Sequence, residues 1–113
     1  MGNLSIRVAH VRKDAGELVC RPSALGNPFS HRASKFDVVR VPSREEAIRR
    51  YRVWLAERLP DPASPQSREM SRLLRILLEK GELVLLCWCV PLRCHAEVVR
   101  EVLLERLEAL GVR

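Results

Sequence analysis

The sequence predicts an α/β fold, a small single-domain three-layer sandwich in which a mostly parallel sheet packs against about three helices. Three segments carry apolar residues at the three- and four-residue spacing of helices, and other segments have the shorter period of strands. The order along the chain is strands, two helices, a strand that is apolar throughout and a last helix, which is typical of α/β domains. The length of 113 residues fits one domain, so residues 1–113 are predicted to form a single unit.

The first third of the chain is predicted to hold short strands. Residues 4–10 alternate apolar and polar side chains, which indicates a first strand. Residues 17–20 follow a turn and are predicted to form a short returning strand. Residues 36–41 alternate weakly and suggest another short strand, whereas residues 21–34 have no period and are predicted to form a loop.

The first two helices have clear start and stop signals. Ser43 and Glu46 form an S-x-x-E capping box, in which each side chain is expected to bind the other residue's backbone N–H. That helix is expected to end at the Pro-Asp-Pro sequence 60–62, because proline cannot continue the hydrogen-bond ladder. Ser64 is the predicted cap of the second helix, and Gly81 its predicted left-handed stop.

The buried strand and the last helix follow. Residues 82–89 are predicted to form a strand with four consecutive apolar residues, Leu83 to Leu86, so both of its faces are expected to be covered by helices. Pro91 ends this strand. The last helix is predicted from about His95 to Leu110, with Gly111 as its stop.

The chain is basic, with 20 Lys and Arg residues against 14 acids and a formal net charge of +6. A basic protein favours polyanionic partners such as nucleic acid or nucleotides. GC-rich or thermophilic genome composition, which enriches arginine, is an equally good explanation. Most arginines are interleaved with glutamate on predicted helices, as expected for a solvated face. The excess positive charge lies in the N-terminal third, at Arg7, Arg12, Lys13, Arg21, Arg32, Lys35 and Arg40.

Several classes of protein are disfavoured by the sequence. No apolar run approaches the roughly 20 residues of a membrane span, and the N-terminus lacks the apolar core of a secretory signal. The four cysteines are grouped as one and three rather than spread as in a secreted disulfide scaffold. We therefore expect a soluble cytoplasmic protein with reduced thiols and no membrane partner.

The leading candidate site is the segment 87–95, Cys-Trp-Cys-Val-Pro-Leu-Arg-Cys-His, between the buried strand and the last helix. Ligands of open α/β sheets bind beyond the carboxyl ends of the strands. Cys87, Cys89, Cys94 and His95 supply the donor set of a tetrahedral zinc site. Cys87 and Cys89, two apart on a strand, would point to the same face.

Two other interpretations of this segment remain open. In a catalytic one, Cys94 near a helix N-terminus has a lowered thiol pKa, and His95 or Glu97 acts as general acid or base. In a structural one, the cysteines only fill the core, as free cysteines commonly do. Cys87 and Arg93 also have the C-x5-R spacing of cysteine phosphatases, but this is a weak signal because the usual Ser or Thr after the arginine is missing.

The second candidate site is the loop 21–29, Arg-Pro-Ser-Ala-Leu-Gly-Asn-Pro-Phe. Gly26 and Asn27 are residue types that tolerate positive φ, and Ser23 can bind nearby backbone, so the loop can expose amides to an anion. Arg21 would add a charged fork. The alternative is a tight structural loop anchored in the core by Phe29. His10 and His31 are interpreted as surface residues.

Three segments together resemble the DUF4326 family of small bacterial and phage proteins of unassigned function. They are R-P-S-x-L-G-N-P-F at 21–29, R-E-E-A-I-x-x-Y-x-x-W-L at 44–55, and C-W-C-x-P-x-x-C-H at 87–95. The resemblance spans about residues 6–103. The ending of the buried strand is also similar, on fewer residues, to DUF488. The DUF4326 resemblance implies that the loop 21–29 and the segment 87–95 form one site, at the same edge of the sheet.

Two functions are carried forward from the sequence. The first is a nucleotide- or phosphate-binding domain, extending to an enzyme that modifies nucleotides or nucleic acids, in which Arg21, Ser23, Gly26 and Asn27 hold the anion. In that domain the segment 87–95 and Glu97 form the reactive or metal-holding wall. The second is a non-catalytic module, zinc-stapled or plain, that binds nucleic acid or protein through its basic N-terminal third. The sequence makes no prediction of oligomeric state.

Overall fold

A computed structural model describes residues 4–111 of the chain. Three parallel strands form its main sheet, two short ones a second sheet, and three helices follow the sequence order of the predictions. The elements are β1 (Ser5–His10), β2 (Glu17–Leu18), β3 (Phe29–Ser30), β4 (Val39–Arg40), α1 (Arg44–Arg58), α2 (Pro65–Lys80), β5 (Glu82–Cys87) and α3 (Ala96–Ala109). The predicted α/β class, with its parallel sheet and three helices, is confirmed.

The main sheet has the strand order β1-β5-β2, with β5 in the centre. Ile6 of β1 pairs with Leu83, and Glu17 of β2 pairs with Leu85, both in parallel register. The predicted return of β2 alongside β1 is therefore wrong: the chain passes to the other edge of β5, because this apolar strand takes a partner on each side. A Cβ on Gly16 would lie 2.5 Å from the Val84 carbonyl oxygen, so glycine is needed there.

Helix α1 begins at the predicted cap. The Ser43 hydroxyl oxygen accepts a hydrogen bond from the Glu46 N–H at 3.1 Å. Only this half of the predicted capping box is present among the described residues, because the Glu46 carboxylate accepts from Arg49 and Arg50 on the next turn instead. Those two hydrogen bonds lower the pKa of Glu46 to about 2.

The other helix boundaries follow the sequence closely. The Ser64 hydroxyl accepts from the Ser67 N–H at the start of α2, and Pro65 occupies the first turn, where its missing N–H costs no hydrogen bond. Gly81 ends α2 with a φ of 79°, a left-handed conformation that glycine adopts without strain. None of the described helices is both long and apolar enough to span a bilayer.

One hydrophobic core joins the sheet to all three helices. Leu83, Leu85 and Cys87 of β5 point into this core, and their neighbours Val84 and Leu86 lie outside it. The core thus takes its β5 residues from one face, whereas the apolar run predicted helices over both. The helices bury against that face the side chains Ile48, Tyr51, Leu55, Met70, Leu73, Leu77, Val98, Val99, Leu103 and Leu107.

Tyr51 anchors the loop that follows β2 onto α1. Its ring is fully buried and its hydroxyl donates to the Leu25 carbonyl oxygen at 2.7 Å. We expect Tyr51→Phe to lower the free energy of unfolding by about 1–2 kcal/mol, because the buried carbonyl loses its partner. Urea denaturation measures this loss, with Val53→Ala on the exposed side of α1 as the control. An unchanged midpoint for Tyr51→Phe would mean that the hydrogen bond contributes nothing.

The short strands β3 and β4 shape the loop between them. They pair in parallel, and the Val39 N–H donates to the Pro28 carbonyl oxygen at 2.7 Å. The segment 31–38 is therefore held as a closed loop beside the N-terminus of α1. This loop supplies side chains to the pocket described next, which lies beyond the carboxyl end of β5.

Candidate functional site

A pocket of about 330 Å³ lies where the sequence predicts a shared site. Both predicted segments contribute to its wall: Arg21 and Asn27 from the first, and all three clustered cysteines and His95 from the second. Residues of the two segments, Asn27 and Cys94 among them, thus line one pocket. The other lining residues are Cys20, Phe29, Ser30, His31, Ser34, Lys35, Phe36, Arg44, Ala47, Ile48 and Trp88.

Three cysteines meet in this wall. Cys87 is the last residue of β5, the chain then bends back, and Cys94 precedes α3. The Leu92 N–H donates to the Cys89 carbonyl oxygen at 2.7 Å, which closes the bend. The three sulfur atoms lie within 4.8 Å of one another, and the Sγ atoms of Cys87 and Cys94 are 3.1 Å apart. This three-cysteine group could hold a metal ion.

The contacts among the three thiols shift their pKa values in opposite directions. Hydrogen bonds from the thiols of Cys87 and Cys94 lower the pKa of Cys89, and the nearby Arg44 guanidinium adds to the effect. The corresponding hydrogen bonds to its neighbours, together with burial, raise the pKa of Cys94. The thiol with the lowered pKa is thus Cys89, which is the most exposed of the three.

His95 has a different role from the predicted fourth ligand. Its ring is buried, packs edge-on against Tyr51, and bonds through Nε2 to the Val19 carbonyl oxygen at 2.6 Å. Since a carbonyl can only accept, Nε2 carries the proton. Burial lowers the pKa of His95, so the ring is neutral and Nδ1 keeps a lone pair. His95 lines the pocket without belonging to the cysteine group.

Glu97 and Arg93 lie apart from these groups. Their side chains are exposed and pair with each other at 3.2 Å, and neither residue lines the pocket. The structure therefore does not bring Glu97, predicted as a general acid or base, to the cysteines. It also places the Arg93 guanidinium away from the pocket that Cys87 lines, contrary to the geometry of a cysteine phosphatase.

Some residues of the loop 21–29 line the pocket, and others only support the loop. Arg21 lines the pocket and its guanidinium donates to the Asn27 carbonyl oxygen. Ser23 and Gly26 do not line the pocket. The Ser23 hydroxyl accepts from the Leu25 N–H, and a Cβ on Gly26 would lie 2.9 Å from the Arg21 backbone nitrogen. These two residues build the turn that presents Arg21, without touching the pocket themselves.

Asn27 holds this loop to α1. Its side-chain nitrogen donates to the Ala47 carbonyl oxygen at 3.1 Å, and its side-chain oxygen accepts from the Phe29 N–H at 2.9 Å. Asn27 is buried, and both ends of its amide have protein partners. Its predicted tolerance of positive φ is not used, because only Gly81 and Gly111 adopt positive φ within residues 4–111.

Several residues that line the pocket are not predicted as site residues from the sequence. Arg44 precedes Glu45 and Glu46 and so fits the pattern of arginines interleaved with glutamate, but its guanidinium donates to the Arg93 carbonyl oxygen and lies beside Cys89. Arg44 follows the Ser43 cap directly, and anions bind at helix N-termini, so this position was a usable signal. Lys35 is predicted only as part of the excess positive charge and His31 only as a surface residue, whereas both line the pocket.

Trp88 forms part of the rim. Its side chain is 54% exposed, although it follows the buried strand directly. The Arg12 guanidinium lies 5.1 Å from the centre of its ring, and the His10 ring packs edge-on against it. The rim therefore offers an aromatic surface with a cation beside it.

Comparison with known proteins gives one result. No curated protein and no solved structure matches the chain. The family model described as a domain of unknown function, DUF4326, matches residues 5–105 of the 113. This range includes all three segments on which the resemblance rested. The chain belongs to the DUF4326 family.

Proposed function

We propose that the pocket binds a small phosphate-bearing molecule of the nucleotide class. The observation that carries this proposal is the charge of the wall: the described residues that line it include Arg21, Lys35 and Arg44, and no aspartate or glutamate. The fixed charges of Arg21, Lys35 and Arg44 attract anions to this wall. Guanidinium groups bind phosphate oxygens in pairs, so Arg21 and Arg44 suit such a ligand.

The shape and apolar lining support a ligand with an aromatic part. A pocket of about 330 Å³ is at the small end of the range for small-molecule sites. Phe29, Phe36 and Trp88 line it and offer ring faces on which a nucleobase can stack. His95 also lines the pocket, and Nδ1 is the ring nitrogen that its bond to the Val19 carbonyl leaves free.

We further propose that the cysteine group holds zinc. Three thiolates in one wall match the ligand chemistry of this ion, and their sulfurs are close enough to surround a single ion. A bound zinc ion would supply Lewis acidity if a coordination position is open, and only structural support if it is closed. The chain's own residues orient the ligand in either case, Arg21 and Arg44 through charge and the aromatic rings through stacking.

Arg44→Ala tests the binding function. Isothermal titration calorimetry with AMP, ATP and inorganic phosphate is expected to show saturable binding to the native protein. The variant should weaken it by about tenfold or more, the usual effect of losing one charged hydrogen bond. Arg75 lies on the exposed side of α2 and does not line the pocket. Arg75→Ala removes an equal charge and should bind the probes as the native protein does. Absence of binding by all three probes, or equal losses in both variants, would contradict the proposal.

Nucleic-acid binding is a second candidate, favoured by the cations around the pocket. Arg12 lies over Trp88, and Arg40 donates to the His31 carbonyl oxygen, so both are next to lining residues. Replacing Arg7, Arg12, Lys13 and Arg40 together by alanine should weaken single-stranded DNA binding and reduce its salt dependence. AMP binding should persist in this variant if the pocket serves a free nucleotide. The exposed Arg7 already pairs with Asp14 and should contribute least.

A further inference from the structure

We infer that a metal ion held by Cys87, Cys89 and Cys94 keeps its fourth coordination position open to the pocket, where an oxygen of the bound anion or a water molecule occupies it. This inference rests on the proposed pocket function and adds to it a metal that contacts the ligand. It differs from a zinc staple, in which protein side chains fill all four positions.

The spacing of the sulfurs fits a single tetrahedral ion. Zn–S bonds of about 2.3 Å at tetrahedral angles place the sulfurs about 3.8 Å apart. The Cys87–Cys94 separation of 3.1 Å is somewhat shorter than this, and all three separations are at most 4.8 Å. Small side-chain rotations therefore bring the three sulfurs to a common ion, with no movement of the strand or of α3.

No fourth protein ligand joins the group within residues 4–111. Of the residues that the structure describes, the group contains three cysteines and no histidine or carboxylate. The Nε2 of His95 is bonded to the Val19 carbonyl oxygen, and the Nδ1 of His10 accepts the Arg12 N–H. Cys20 is buried nearby but lies outside the group. A metal bound here is thus three-coordinate with respect to these side chains.

The free position faces the pocket. Cys87 and Cys94 are buried, between the core and the start of α3, so protein covers the group on that side. All three cysteines nevertheless line the pocket, and Cys89 is partly exposed. Access to the ion is therefore from the pocket, where Arg44 and His31 also lie.

The charges allow an anion to bind at this ion. Three thiolates and one divalent cation carry a net charge of −1, which would repel a phosphate. Arg44 lies beside Cys89 and offsets that charge. Arg21 and Lys35 then remain to balance the ligand. The wall has enough positive charge for the ligand and the metal–thiolate group together.

Cobalt(II) substitution tests the open position. Reduced full-length protein is loaded with cobalt(II), whose visible bands report coordination and whose thiolate-to-cobalt band reports the cysteines. Azide and inorganic phosphate are expected to shift the visible bands saturably while the thiolate band is retained. Cys94→Ala should lose the thiolate band, and Cys20→Ala should keep it.

Two results would overturn the inference. One is failure of the reduced protein to bind cobalt(II) with a thiolate band. The other is a spectrum that does not respond to either anion; a change of that spectrum in His31→Ala would then identify His31 as the fourth ligand. If the position is open, His31→Ala should keep the native cobalt spectrum before any anion is added.

The failure of the pocket function is distinguishable from these results. AMP and phosphate titrations of the metal-free protein test the pocket alone. An azide response in the cobalt protein without any AMP binding would support the open metal and contradict the nucleotide proposal. AMP binding with a closed cobalt site would support the pocket and overturn the inference.

Discussion

Replacing Cys94 with alanine is expected to remove zinc from the protein. Native protein purified with reductant and without chelator should contain about one ion per chain, since three thiolates suffice to hold it. Cys94 is central to the group because its Sγ lies 3.1 Å from that of Cys87 and it joins β5 to α3. Elemental mass spectrometry of the untagged protein measures the content directly.

The matched control for this prediction is Cys20→Ala. Cys20 is a buried cysteine in the wall of the same pocket, but it lies outside the three-cysteine group. It should retain the full metal content, so a loss in Cys94→Ala alone identifies the ligand set. Native protein without metal would refute the zinc proposal and assign the cysteines to packing or thiol chemistry. Equal loss in both variants would point to unfolding rather than to ligation.

Local signals in the sequence predicted the helices well. Ser43 and Ser64 cap the starts of α1 and α2, and Gly81 caps the end of α2. These caps could be predicted because each one binds a backbone group only a few residues away. The motifs also predicted that the loop 21–29 and the segment 87–95 lie together, and residues of both segments line one pocket. That prediction depended on the topological rule that strand ends share one edge, together with the family resemblance.

Interactions between distant segments could not be predicted in the same way. The two-residue strand β2 carries too little pattern to reveal its direction, and its pairing with β5 involves residues far along the chain. The binding of His95 to the Val19 carbonyl is a similar long-range contact. Donor chemistry suggested His95 as a metal ligand, but the position of its ring depends on the packing of α3 against the loop after β2.

Asn27→Ala is expected to cause the largest loss of stability among the loop variants. The buried amide donates to the Ala47 carbonyl oxygen and accepts from the Phe29 N–H, and alanine leaves both groups without this partner. The free energy of unfolding should fall by about 2–4 kcal/mol, since each buried polar group left unpaired costs about 1–3 kcal/mol. Urea denaturation measures the loss.

The same substitution should also weaken ligand binding, although the partners of the Asn27 amide are the protein groups of Ala47 and Phe29. Its side-chain amide ties the loop to α1. Its backbone carbonyl oxygen accepts from the Arg21 guanidinium and holds that group at the pocket wall. Ser23→Ala is the control, because it removes one partly exposed hydrogen bond of the same loop and should cost only about 1 kcal/mol. Near-native stability of Asn27→Ala with lost AMP binding would instead assign Asn27 to the ligand directly. Loss of both stability and AMP binding would mean that the loop presents Arg21 to the ligand only while Asn27 fixes the loop to α1.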